Sequence, residues 1–142
     1  METPETVKTI TVETLINAPV EKVWELWTET EHIVNWNNAS DDWYTSKAQN
    51  DLKVGGGFLA RMEARDGSAS FDFTGKYVAV EDHKFIEYIL TDARNVKINF
   101  TAEENKTKIV ETFEAENTHP EEMQKGGWQS ILDNFKKYVE RT

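Results

Sequence analysis

MQKGGWQSILDNFKKYVE, residues 123–140, is the stretch whose periodicity decides the fold. At about 100° per residue, Gly127, Trp128, Ile131, Leu132, Phe135, Tyr138 and Val139 fall within one arc of about 140°. Lys125, Gln129, Asp133, Lys136 and Glu140 occupy the other side. Such a helix needs an apolar surface to cover it. Two adjacent glycines stand near its start, where each costs about 1 kcal/mol relative to alanine. Gly126 lies among the polar residues, whereas Gly127 lies at the edge of the apolar arc. Gly127 is therefore expected to admit a neighbouring backbone or side chain, or to leave room for a ligand. Gly127→Leu is expected to damage packing, and Gly126→Ala to be mild or stabilising. Gln124 falls near the middle of the same arc, where it either hydrogen-bonds a ligand or caps nearby backbone groups.

The surface that covers this helix is read from the strands before it. In KTITVETLINA, Ile10, Val12 and Ile16 alternate with Thr9, Thr11 and Glu13, the pattern of a half-buried strand. Pro19 suits the first turn of a helix in which Val20, Val23, Trp24 and Trp27 share a face. Thr28 and Glu31 have capping-box spacing for a second short helix, as Thr118 and Glu121 do for the last one. From about Asn37 the character is β. Phe58, Ala60 and Met62 share one strand face, and Asp66-Gly67 is a hairpin turn. Phe71, Phe73 and Tyr77 share another face, with Gly75 making room between them. VGGGF leads into a strand and reads as a bend or bulge. Residues 1–6 form a polar, frayed tail.

The order is one strand, two short helices, about six strands in hairpin succession and a long helix. No helices intervene between the later strands, which excludes a parallel α/β sheet. The expectation is a single α+β domain over residues 1–142, with one antiparallel sheet curled around the C-terminal helix.

Composition narrows the function. Sixteen Lys and Arg against 26 Asp and Glu give a net charge of −10, and no basic patch offsets it, so no nucleic-acid partner is expected. There are no cysteines, no apolar run long enough to span a membrane and no secretory-signal pattern, so a cytoplasmic location is expected. No nucleotide, zinc-protease, nucleophile-elbow or calcium-loop motif is present, and the three histidines form no constellation. Neither a metal site nor a cofactor is expected.

INAPVEKVWELWTETEHIVNW, LKVGGGF, FTGKYVAVEDHKFIEY and TFEAENTHPEEMQKGGWQSILDNFKKYVE, in that order, carry a resemblance along nearly the whole chain. The sequence resembles the START-like (SRPBCC, helix-grip) superfamily, in the branch related to the C-terminal domain of the activator of Hsp90 ATPase. The resemblance implies a seven-stranded antiparallel sheet gripping the last helix, with an apolar cavity between them. Members of the superfamily bind lipids, hormones or polyketides, and a few catalyse cyclisation or hydrolysis.

Candidate cavity residues follow from face and position. Met62, Phe73, Tyr77, Phe100 and Phe113 are expected to face inward from strands, with Trp128, Ile131 and Phe135 facing them from the helix. Trp36 and Trp43 serve either as a stacking wall at the cavity mouth or as structural anchors. Glu111 shares its strand face with Thr107, Ile109, Phe113 and Ala115, where a carboxylate is expensive unless paired or protonated. It is a ligand anchor or general acid/base, unless a bulge turns it to solvent. Three functions compete: binding an apolar small molecule, acting on the Hsp90 chaperone, and a cyclase or hydrolase activity that uses Glu111. The oligomeric state is left open by the sequence.

Overall fold

The computed structural model describes residues 8–142; residues 1–7, with the tail expected over 1–6, lie outside the described residues. Strand β1 (Thr9–Ile16) precedes helices α1 (Val20–Thr28) and α2 (Thr30–Trp36). Strands β2 (Trp43–Asn50), β3 (Gly57–Ala64), β4 (Ser70–Glu81), β5 (Phe85–Leu90), β6 (Asn95–Glu103) and β7 (Lys106–Glu114) follow, and α3 (Glu121–Arg141) ends the chain. The strands form one antiparallel sheet in the order β1-β7-β6-β5-β4-β3-β2, curled into a half-barrel. This is the α+β helix-grip architecture that the element order predicts.

Period-two alternation sets which face of each strand is buried. Ile10, Val12 and Ile16 of β1 are buried, as are Thr107, Ile109, Glu111 and Phe113 of β7. β1 lies beside β7, with Ile10 opposite Phe113 and Val12 opposite Glu111. The β6–β7 register runs unbroken from Val96↔Phe113 to Glu103↔Lys106. No bulge therefore turns Glu111 outward. The other buried polar group on this face, the Thr107 hydroxyl, donates to the Ala18 carbonyl at 2.8 Å.

Two glycines hold the sheet's far half together by being small. A Cβ on Gly75 would stand 2.6 Å from the Phe58 ring and 2.9 Å from the Ile89 carbonyl oxygen. The space expected at Gly75 is thus filled by Phe58 of the neighbouring strand. A Cβ on Gly56 would collide with the Asp51 carbonyl. The VGGGF stretch is a turn docked on β4, through Gly55 N–H to the Tyr77 carbonyl and Tyr77 N–H to the Gly56 carbonyl, each at 2.9 Å.

The helices start differently from the capping-box expectation. The N-cap residues are Pro19, Glu29 and Pro120, and none makes a side-chain cap hydrogen bond. Pro19 and Pro120 sit just before the first helical residue with φ of −69° and −59°, which aims the chain into the helix without a side-chain acceptor. Thr28 ends α1, and its hydroxyl donates to the Trp24 carbonyl at 2.8 Å, so it is not available to α2. Among the described residues no helix is long and apolar enough to cross a membrane.

The buried face of α3 carries Leu132, Phe135 and Val139 into a core shared with α1, β6 and β7. Phe135 meets Trp27 and Trp36 edge-on at 4.8 and 4.7 Å between ring centroids. Phe100 meets Trp24 edge-on at 5.1 Å. Helix α2 is latched to α3 by polar contacts at the core's margin. Tyr138 hydroxyl lies 2.7 Å from His32 Nδ1, and Asn134 Nδ2 donates to the Trp36 carbonyl at 2.9 Å.

Candidate ligand cavity

Towards the first turns of α3 the helix and sheet part, leaving a cavity of about 510 Å³. Its wall includes Trp36 of α2, Met62 of β3, Phe73 and Tyr77 of β4, Glu111 of β7, and Gln124, Trp128 and Ile131 of α3. Trp43, Phe100, Phe113 and Phe135 of the expected set are not on this wall. Phe100 and Phe135 are covered by the tryptophans of α1 and α2. Phe113 is covered by Trp128, stacked at 4.0 Å with the planes 10° apart, so Trp128 presents its other side to the cavity. Trp43 is half-buried and packs against Phe71. Phe71 and Met123 are exposed residues of the wall, and they mark the rim of its mouth.

Gly127 lines the cavity, and a Cβ added there meets nothing within 4 Å. The expectation that a neighbour approaches it closely is corrected: the missing side chain leaves open space, not a contact. Gly126 likewise meets nothing, but it faces outward.

Glu111 is 5% exposed and has no hydrogen-bond or ion-pair partner among the described residues. No fully occluded side-chain oxygen lacks a partner there. The residual exposure of the Glu111 carboxyl is therefore exposure to the cavity it lines. Burial raises its pKa from 4.5 to about 8, so at neutral pH it holds a proton and offers one O–H donor beside an acceptor.

Tyr88 is buried on the same face of the sheet, two strands away, and its phenol is pushed up by burial and then by the nearby Glu111 charge. Tyr77 stands opposite Tyr88 across the β4–β5 pair, and its hydroxyl donates to Asn50 Oδ1 at 2.5 Å. Arg94 reaches the wall from the β5–β6 turn, with its Nε held by Asp92 at 2.8 Å.

Gln124 uses its amide on backbone. Its Oε1 accepts from Glu116 N–H at 2.9 Å, and its Nε2 donates to the Glu116 and His119 carbonyls at 3.1 and 2.8 Å. This binds the β7–α3 loop to the helix, while Glu116 and His119 pair with each other. Of the wall residues outside the expected set, Tyr88 had a readable signal. It shares parity with Ile86 and Leu90 in the β5 sequence.

Outside the cavity, Glu25, Glu29 and His32 place ligand-type atoms within 4.8 Å of one another on the α1–α2 surface. The Tyr138 hydroxyl already engages Nδ1 of His32, and both carboxylates are exposed.

A curled seven-stranded antiparallel sheet around a C-terminal helix, with a pocket between them, defines a START-like protein. The chain belongs to the AHSA1 family, described as activator of Hsp90 ATPase homolog 1-like protein, whose model matches residues 17–140. The AHSA1-like protein from Aeromonas hydrophila is 44% identical, over 94% of this chain and 93% of that one, with a TM-score of 0.89. A protein from Cytophaga hutchinsonii is 50% identical over 94% and 92% of the two chains, with a TM-score of 0.82. A Nitrosomonas europaea protein shares the fold at 18% identity, with 94% of each chain covered and a TM-score of 0.80. No curated protein matches the chain.

Proposed function

We propose that this is a non-catalytic, cytoplasmic protein that binds a small apolar molecule between α3 and the sheet. The observation that carries the proposal is the 510 Å³ cavity, walled by Trp36, Phe58, Met62, Phe73, Trp128 and Ile131. A volume of this size suits a drug-sized ligand, and an apolar lining supplies the driving force for its burial. Among the described residues the wall holds no serine, threonine or cysteine, which supports binding over nucleophilic catalysis. Absence of cysteine supports the cytoplasmic assignment.

Native mass spectrometry of freshly purified protein tests the proposal, together with titration of the intrinsic fluorescence by apolar compounds. Trp27, Trp36 and Trp128 line the cavity, so an occupant alters their emission. A co-purified mass, or a saturable change abolished by Gly127→Leu, is the expected result. An empty protein whose emission responds to no compound overturns it.

The match of residues 17–140 to a family described by Hsp90 ATPase activation favours a second reading, action on that chaperone. Stimulation of the ATPase of the same organism's chaperone would support it, and no stimulation would remove it.

A further inference from the structure

The polar floor of the cavity specifies more than an apolar occupant. Glu111 is buried, aimed into the space and without a partner among the described residues. It shares the cavity wall with the Tyr88 and Tyr77 phenols and with the rings of Phe58, Phe73 and Trp128. We propose that the natural occupant is a lipophilic amine, its ammonium group on the Glu111 carboxylate and its apolar body between Trp128 and the sheet. This inference rests on the cavity being a binding site.

Charge decides between the alternatives. The titratable groups on the wall are Tyr77 of β4, Tyr88 of β5, Arg94 of the β5–β6 turn, Glu111 of β7, and Glu116 and His119 of the β7–α3 loop. The wall residues from α2 and α3 bring no charge. Arg94 is already matched by Asp92, and His119 by Glu116. Glu111 is the carboxyl left over. An anionic occupant would meet this carboxyl and a protein of net charge −10.

A neutral carbonyl compound could accept one hydrogen bond from the protonated acid, but the acid's second oxygen would remain without a donor. An ammonium brings two or three N–H donors, enough for both oxygens, and a charge-assisted pair is about twice as strong as a neutral one. Phenol and indole faces attract a desolvated cation in addition. The surroundings that disfavour a lone carboxylate thus favour a carboxylate that arrives at its counter-ion.

The proton balance follows. At pH 6 the free carboxyl holds a proton, since burial raises its pKa to about 8. Binding an ammonium ionises it and releases that proton to solvent. Affinity for the amine should therefore rise about tenfold per pH unit between pH 6 and about 7.5, then level off above about 8. The amine itself, with a pKa near 10, stays charged throughout this range.

The test is calorimetric titration of the wild-type protein with naphthylethylamine, naphthylethanol and naphthylacetate, which share one apolar body. The expected result is an amine bound about tenfold tighter than the alcohol at pH 8, with the acid weakest. Repeating the titration at pH 6.5 in two buffers of different ionisation heat should show proton release for the amine alone. Glu111→Gln should erase the amine's advantage over the alcohol together with its pH slope.

Alcohol and amine bound equally by the wild type, or the acid bound tightest, overturns the amine assignment and leaves the binding site standing. Amine affinity with no pH slope and no proton release also overturns it. If none of the three binds, the cavity reading fails as well. The wild-type comparison needs no variant, so misfolding of Glu111→Gln would not rescue the inference.

Discussion

Replacing Glu111 by glutamine should make the protein more stable at alkaline pH and leave it nearly unchanged at pH 5. The carboxyl's pKa is raised from 4.5 to about 8 in the folded state by burial alone. Folding therefore favours the protonated form. The stability this proton supports is complete below pH 4.5, falls by about 1.4 kcal/mol per pH unit above it, and is lost by about pH 8. The full span corresponds to about 5 kcal/mol. Solvent entering the cavity beside the carboxyl relaxes the charged form, so a measured difference of about 3 kcal/mol is expected at pH 9.

Glutamine has nearly the same shape as the neutral acid and does not ionise. At pH 5 the two proteins should agree within about 1 kcal/mol. Urea unfolding at pH 5, 7 and 9, followed by tryptophan fluorescence, gives the difference directly. The protein's other acidic groups cancel in the comparison. Profiles that run parallel, with a difference constant within about 0.5 kcal/mol across this range, would show that Glu111 ionises as easily in the folded state as in the unfolded one. The reasoning from burial would then be wrong.

Three further outcomes can be checked. Gly127→Ala should raise stability by about 0.5–1 kcal/mol, because no atom lies within 4 Å of the new Cβ and alanine favours the helix. Thermal unfolding measures it, and a lower melting temperature would count against an open wall. Gly75→Ala should destabilise by about 1–3 kcal/mol, since the methyl group meets Phe58 and the Ile89 carbonyl below 3 Å; chemical denaturation should show the loss. Gln124→Ala removes three hydrogen bonds to the β7–α3 loop and should cost about 1–3 kcal/mol. Hydrogen exchange should accelerate at the Glu116 amide, and an unchanged rate there would show that the loop is held by something else.

The faces of the strands and of α3 were legible because alternation and helical period are local properties of the chain. Glu111 could be placed on the buried face in this way, once the unbroken β6–β7 register excluded a bulge. Position along that face was not legible. Phe100, Phe113 and Phe135 point inward as Glu111 does, but tryptophans from α1, α2 and α3 cover them. Only the crossing of helix over sheet decides which inward residues remain uncovered, and strand parity carries no record of that crossing. The capping boxes failed for a different reason. Thr28 has the right spacing to begin α2, but its hydroxyl folds back on the turn it ends, a choice made by backbone geometry that spacing cannot express. Gly127 was read correctly as a place of unusual space and wrongly as a place of contact, because helical phase gives direction without the distance to what lies opposite.

The pairing of β1 with β7 has a consequence for how the molecule comes into being. Ile10, Val12 and Ile16 leave the ribosome well before their partners Phe113, Glu111 and Thr107, which are made about a hundred residues later. Strands β2 to β7 can pair in hairpin succession while β1 waits as an open apolar strand. Contacts so distant along the chain make closure a slow step. The final helix is later still, and it supplies Trp128 and Ile131 to the wall. The cavity is thus completed only after the sheet has been made, and a nascent chain short of α3 has nothing with which to hold a ligand.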